Sequence, residues 1–483
     1  MPITARIVPG ASGAGDAGCS GHALSCQAPR PARFRELAMP VTVGLLALVV
    51  RLAWVVFYGA DQEVAGDQIY YHVGANALAR GDGFVNPYAW GDPETRLSIP
   101  SAQHPPAYQV YLAAFSVLGF DDHVEHRLVS TLLGVGTTVV CATTARRLAG
   151  RTAGWGAGLI AALYPNLWVN DGLLAAESIY ALFVASYLLA CWEYQRRPRT
   201  ALACAVGTTV GLAALARAEG AFLLFAGAWP LILLHGRRRL RHLLSCSAAA
   251  AVVVAPWVVR NLVTFDPPVL LSTGLGFVLE TANCDATYQG RFLGYWAASC
   301  QRDDTWPVQP ELTPGMDPVE VEAAKQKARV LSARRESEVE LLKRRAGVEY
   351  MREHIHRLPI VMAARIGRMW DLYRPFQGVE FNDFFERRGR LSSLAGLFCW
   401  WLLAPLSLYG ALAVRRRGMT LVPVVSVALS VTITAAMAFG ITRYRIAADT
   451  TAVVLAGVAV GSLVGESRRK RSVENASLRG CNT

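Results

Sequence analysis

Several charged residues stand beside long apolar runs, where a charge needs a partner or a task because leaving water is costly. Asp67 sits in GDQIYYH, and His104 begins HPP. Glu177 lies in NDGLLAAESIY, and Arg217 with Glu219 forms the turn ARAEG. Arg260 and Asn261 end PWVVRN. Arg443, Tyr444 and Arg445 fall in TRYRIAAD, with Asp449 one turn on. These residue types suit group transfer from a phosphate-bearing donor embedded in a membrane. Arginine offers a planar fork that pairs with phosphate oxygens. A carboxylate such as Asp67 can take a proton from an acceptor hydroxyl, or hold a divalent metal such as Mg or Mn. Tyr70, Tyr71, His104, Arg217, Glu219, Arg260, Arg443, Tyr444 and Arg445 are the candidate substrate contacts. The chain has no Gly-rich phosphate loop, Walker pattern or HExxH, so a soluble nucleotide is not expected as direct donor.

Each position also has a plainer reading. Asp67 would cap the helix IYYHVGANALA, and Glu177 would be a polar contact between helices. Arg217 and Glu219 would pair across their own turn, and Arg260 would mark the end of a span. The RYR cluster would snorkel to headgroups, and His104 would be part of a proline turn.

The elements that position these residues are membrane helices. Of 483 residues, 53% are hydrophobic, and the mean hydropathy is +0.29. Apolar runs near the ~20 residues that cross a bilayer recur along the chain. Ten spans are expected, at 39–58, 127–146, 152–170, 173–192, 200–216, 220–235, 242–259, 391–413, 419–440 and 446–465. The net charge is +12, carried mostly by arginine. Nucleic acid is not the expected partner, because the arginines cluster between spans. RRLAGR (146–151), QRRPR (195–199), HGRRRLRH (235–242), VRRRG (414–418) and ESRRKR (466–471) share one side if there are ten spans, together with Arg30, Arg33 and Arg35 of the N-terminal tail. Basic short loops mark the cytoplasmic side.

An eleventh span at 105–120 would invert that arrangement. The run is short for a span, so it is expected to lie along the outer face. The loop 59–126 is then extracytoplasmic. It carries nine Asp and Glu against Arg80 and Arg96, opposite in sign to the basic loops. The candidate residues fall at that same outer face.

The expected organisation is a disordered cytoplasmic tail (1–38), a transmembrane core (39–259), an extracytoplasmic segment of mixed character (260–390), C-terminal spans (391–465) and a basic cytoplasmic tail (466–483). Both termini are expected in the cytoplasm, in the plasma (inner) membrane. Cys284 and Cys300 lie in the outer segment and are expected to form a disulfide in an oxidising compartment. Cys141, Cys191, Cys204, Cys246 and Cys399 read as packing residues within spans. Cys19 and Cys26 lack a second pair at metal-ligand spacing.

In order along the chain, GDQIYYHVGANALARGDGF, HPPAYQVYLAAFSVLG, HRLVSTLLG, LLAAESIY, GLAALARAEG, PWVVRN and RYRIAADTTAVVLAG resemble the boxes of the GT-C membrane glycosyltransferases. The nearest branch is the dolichyl-phosphate-mannose–protein mannosyltransferase and aminoarabinose lipid A transferase (ArnT-like) group. Ala218 stands where that turn commonly has Pro, and Gln68 follows Asp67 where the mannosyltransferases usually show Glu. The resemblance implies an all-α helical bundle of about ten spans. It implies a large first outer loop with juxtamembrane helices and a mixed outer segment before the last three spans. It further implies a polyprenyl-phosphate sugar donor and a glycan, lipid or protein acceptor on the outer face, with Asp67 as base or metal ligand and Glu177 as second acid. The competing class is a transporter or flippase of a lipid-linked saccharide. That class is disfavoured because no internal repeat is evident and the charges gather at one face.

Overall fold

The apolar runs bounded by arginine clusters become helices, and the proline and glycine positions decide where those helices break. The computed structural model describes residues 32–88, 99–305, 307–313 and 315–480. The expectations for Cys19, Cys26, Arg30, Arg96 and most of the tail 1–38 fall outside these residues. The chain divides into a short N-terminal unit, Met1–Ala38, and a body, Met39–Thr483, to which the following description applies. Among the described residues every regular element is helical, and one isolated bridge joins Val85 to Pro100.

The first group of helices is α1 (Ala32–Trp54), α2 (Asp67–Ala79), α3 (Ala107–Ser116), α4 (His123–Ala149), α5 (Arg151–Leu163), α6 (Pro165–Asp171), α7 (Glu177–Arg196), α8 (Thr200–Ala216), α9 (Trp229–His235) and α10 (Arg239–Thr264). The 260–390 segment contributes α11 (Gly274–Ala282), α12 (Asp285–Tyr288), α13 (Pro318–Ala333), α14 (Glu336–Glu353), α15 (Leu358–Met369) and α16 (Pro375–Phe384). The chain then continues through α17 (Arg390–Arg416), α18 (Val422–Met437) and α19 (Ile446–Gly480).

Six helices are long and apolar enough to cross a membrane: Leu37–Gly59, His123–Ala149, Ala218–His235, Arg239–Thr264, Arg390–Arg416 and Thr442–Ser467. Two shorter apolar helices, Thr200–Ala216 and Val422–Met437, correspond to two further expected spans. The expected span 152–170 is not one helix. It breaks at Tyr164, whose ψ of 116° is extended. The cause is Pro165, which disfavours a helical backbone in the residue before it. The next helix begins at Glu177 rather than 173. At the C-terminus, α19 continues unbroken to Gly480, through the arginines expected to begin a tail.

The run 105–120 forms α3, only ten residues long. At 1.5 Å per residue this covers about 15 Å, half a hydrocarbon core. It packs on α4: the Tyr108 hydroxyl lies 2.7 Å from Ser130 Oγ, and Tyr111 donates to the Val129 carbonyl at 2.7 Å. The start of α4 is set by Asp122, whose carboxylate accepts from the Val124 amide while Glu125 accepts from the Asp122 amide, a reciprocal cap.

Small residues let the helices approach closely. A Cβ on Gly207 would stand 2.0 Å from the Cys246 carbonyl oxygen, where α8 meets α10, and one on Gly410 would stand 1.9 Å from that of Leu455, where α17 meets α19. Such close backbone approach is the usual basis of packing between membrane helices. Ion pairs also lie in the interior: Arg51 donates to Asp171 at 2.6 Å, both side chains almost fully buried.

Several contacts tie the 260–390 segment to the rest. Arg365 of α15, fully buried, donates to the carbonyls of Ala282 and Ala436 and to Asn283 Oδ1. Glu336, the first residue of α14, accepts from the Ala102 amide at 2.8 Å and the Thr273 hydroxyl at 2.5 Å. Cys284 and Cys300 are joined in a disulfide, with their Cα atoms 5.8 Å apart.

Candidate active site

A cavity of about 860 Å³ opens where the first loop, the ends of α7 and α8, the 260–390 segment and the start of α19 meet. Its lining includes Asp67, Tyr71, His104, Arg217, Glu219, Arg443 and Tyr444. Trp296, Phe385 and Phe439 supply aromatic surface.

Asp67 is the first residue of α2. Its carboxylate does not cap the helix. Arg443 Nη2 donates to Oδ2 at 2.6 Å, and Oδ1 lies 3.5 Å from His104 Nε2. The His104 ring packs against Tyr70 and Tyr71, with centroids 4.9 and 5.2 Å away. Glu177 is fully buried at the first position of α7. Its Oε1 accepts from Arg443 Nε at 2.6 Å and from Arg217 Nη1, and its Oε2 is buried with no partner among the described residues. Arg217 also donates to Glu219, and its guanidinium lies 4.9 Å from the centre of the Tyr444 ring. Arg443 reaches a third carboxylate, Glu386, at 3.3 Å. Two guanidiniums thus hold four carboxylates, Asp67, Glu177, Glu219 and Glu386.

This arrangement sets the protonation of the groups that face the cavity. Burial pushes the Asp67 carboxyl up, but Arg443 and His104 outweigh it and hold the group well below the usual carboxylate range. Asp67 is therefore ionised at neutral pH, with its charge directed at Arg443. Tyr71 is pushed well above the ordinary phenol, first by burial and then by the Asp67 and Glu177 carboxylates, and stays protonated as a donor. Tyr88 lines the same wall and donates to the Gly66 carbonyl at 3.0 Å, which holds the turn before Asp67.

Three candidates lie elsewhere. Arg260 donates to the carbonyls of Ser101 and Phe84 at 3.0 and 2.9 Å and stacks near Trp257. It braces the strand-like stretch before His104 and is not among the lining residues. Arg445 is fully buried between Asp371 and Asp449, at 2.7 and 3.0 Å, behind the cavity wall. Tyr70 is buried, with its hydroxyl 3.4 Å from Ser101 Oγ. Conversely, Glu386, Arg387 and Glu336 line the cavity and were not singled out from the sequence. Their one sequence signal is position, since all three lie in the segment assigned to the same face as Asp67.

Among the described residues no group of three or more His, Cys, Asp and Glu could hold a metal ion. A cation at Asp67 would find His104 as its nearest protein ligand and Arg443 already on the other oxygen.

Comparison with known families matches residues 103–259 to the family described as dolichyl-phosphate-mannose-protein mannosyltransferase. No curated protein matches the chain. Solved structures with a similar backbone include an archaeal oligosaccharyltransferase, AglB, from Archaeoglobus fulgidus in complex with an inhibitory peptide and a dolichol-phosphate. It is 14% identical, with a TM-score of 0.48, 92% of this chain covered and 52% of that one. Another is the Archaeoglobus fulgidus oligosaccharyltransferase in complex with Zn and sulfate, 15% identical, with a TM-score of 0.44, 92% of this chain and 51% of that one covered. A third is ArnT from Cupriavidus metallidurans bound to undecaprenyl phosphate, 18% identical, with a TM-score of 0.39, 89% and 78% covered. The chain spans about half the length of the oligosaccharyltransferases it matches. Over residues 103–259, which include His104, Glu177, Arg217 and Glu219, the chain resembles the mannosyltransferase family to which its motifs pointed.

Proposed function

We propose that the protein is a membrane glycosyltransferase that moves a sugar from a polyprenyl-phosphate donor to an acceptor hydroxyl at the outer face of the plasma membrane. The observation that carries this reading is the pairing of Asp67 with Arg443, itself held by the buried Glu177, on the wall of one large cavity with both polar and aromatic surface. A polar wall suits sugar hydroxyls, and an aromatic and aliphatic wall suits an isoprenoid.

In this reading Asp67 holds the acceptor hydroxyl for attack at the anomeric carbon, with the lipid phosphate leaving and the hydroxyl proton passing to Asp67. A carboxylate held this low is a weak base, so Arg443 must loosen its grip as the reaction proceeds. Glu177 and Glu386 share that guanidinium and keep it in place as Asp67 takes up the proton. Glu177 positions Arg443 and Arg217. Arg260 and Arg445 act on the loop and helix that carry the site, and no step passes through a metal.

Purified protein supplied with a radiolabelled polyprenyl-phosphate sugar tests the reading. Sugar released onto an acceptor supports it. Lipid movement without cleavage would place the chain among flippases, and neither result would leave it a binding subunit. The assigned side is tested separately with a cysteine placed in RRLAGR, which should resist an impermeant reagent on intact cells.

A further inference from the structure

Among the described residues that line the cavity, the cations are Arg217, Lys343, Arg387 and Arg443. Three of them have carboxylate partners. Arg217 pairs with Glu177 and Glu219, Arg443 with Asp67, Glu177 and Glu386, and Lys343 with Glu280 at 2.6 Å. Among the described residues Arg387 has no ion pair and no side-chain hydrogen bond; its charge is felt at the Tyr58 hydroxyl, as is that of Asp383. The acids lining the same cavity are Asp67, Glu219, Glu336, Glu340 and Glu386. An anionic ligand would therefore be repelled at most points of this surface and needs one uncommitted cation.

The backbone around Arg387 is arranged to present that cation. Arg387 has φ of 50°, in the left-handed region that strains a residue carrying a side chain. Strain of this kind persists only where the surroundings impose it. Gly389 follows, also at positive φ, against the Tyr58 ring. The neighbouring Arg388 turns the other way, is almost fully buried, and donates to Asn170 Oδ1 at 3.3 Å. The turn thus leaves Arg387 half-buried among the residues that line the cavity and buries Arg388. Arg387 directly follows Glu386, which pairs with Arg443, which in turn holds Asp67.

We infer that Arg387 is the guanidinium that binds the phosphate of a lipid phosphomonoester or phosphodiester, while Arg217 and Arg443 are occupied in shaping the carboxylate cluster. This rests on the lipid-phosphate reading above and assigns its phosphate to a residue that reading did not include. The ligand class is a polyprenyl phosphate, with its head at Arg387 and its chain along the aromatic wall that includes the neighbouring Phe385.

The test uses the full chain in lipid nanodiscs, titrated with undecaprenyl phosphate, undecaprenol or inorganic phosphate and read by native mass spectrometry. Wild type should bind undecaprenyl phosphate in preference to undecaprenol. Arg387→Gln should weaken that binding by about tenfold to a hundredfold, the loss expected for charge-assisted hydrogen bonds. Arg387→Lys should restore part of it, and Arg291→Ala, outside the cavity, should leave it unchanged. Melting curves of each variant identify misfolding, and the lysine variant then carries the comparison through its weaker, non-forked pairing. Wild-type preference that survives intact in both Arg387 variants would overturn this inference and leave the lipid-phosphate reading standing. No preference for the phosphate over the alcohol in wild type would overturn both. Inorganic phosphate binding as tightly as the lipid would overturn the lipid part.

Discussion

Arg443 Nη2 donates to Asp67 Oδ2 at 2.6 Å, joining residues 376 positions apart. The same guanidinium reaches Glu177, so the start of α2 and the start of α7 are held by one side chain from the turn before α19. The cavity floor therefore forms only when the last span has docked on the first group of helices.

Asp67 and Glu177 should separate by substitution. Asp67→Asn leaves Arg443 paired with Glu177 and Glu386, so melting should change little, while sugar transfer should fall by about 10²–10⁴-fold, the share of a positioned base. Glu177→Gln leaves two guanidiniums short of a fully buried partner, so it should cost on the order of 3 kcal/mol in stability as well as transfer. Melting and transfer measured on both variants check this. Full transfer by Asp67→Asn would remove the residue from the mechanism.

Helix contact is the second expectation. Gly410→Ala would place a methyl group 1.9 Å from the Leu455 carbonyl oxygen and force α17 from α19, at about 1–3 kcal/mol. Gly465→Ala meets nothing within 4 Å and should be neutral. The melting temperatures of the two variants in the same detergent give the comparison.

Acid should destabilise the first loop through His72. Its Nδ1 lies 3.0 Å from His126 Nδ1, and only one proton can sit between them. Burial lowers His72 first, and the nearby His123 adds to this, so the unfolded chain binds the proton more tightly than the folded one. Stability then rises with pH. The contribution is fully present above the unfolded value of about 6.5 and fades as pH falls below it. His72→Gln should flatten the dependence of melting temperature on pH between 7 and 5. An unchanged slope would show that the pair does not titrate there.

The disulfide should matter to the 260–390 segment alone. For a loop this short the cross-link contributes about 3 kcal/mol. Cys300→Ser should increase proteolysis within 280–305 while leaving the helices of spanning length protected.

The level of each charge relative to the helices was legible in the chain. Asp67, Glu177, Arg217, Glu219 and Arg443 all sit at helix ends or turns; Asp67, Arg217, Glu219 and Arg443 line one cavity, and Glu177 is buried beneath the two arginines. Level does not give direction around a helix. Arg443 and Arg445 are two residues apart in a tight turn, so one faces the cavity and the other is buried against Asp371 and Asp449. The break at Tyr164 was present in the sequence as Pro165, but the apolar run across it outweighed the proline. Glu336, Glu386 and Arg387 lay in a segment of mixed charge, without periodic apolar positions to orient them. Only the folded chain distinguishes the arginine left without a partner.

Glu336 holds both the Ala102 amide and the Thr273 hydroxyl, two residues before His104. The His-Pro-Pro corner is thus fastened from outside by a helix more than 230 residues downstream. A chimera that exchanged the 260–390 segment for that of a relative would also unfasten the wall that carries His104. Specificity in this chain cannot be transplanted as a cassette unless the glutamate clasp travels with it.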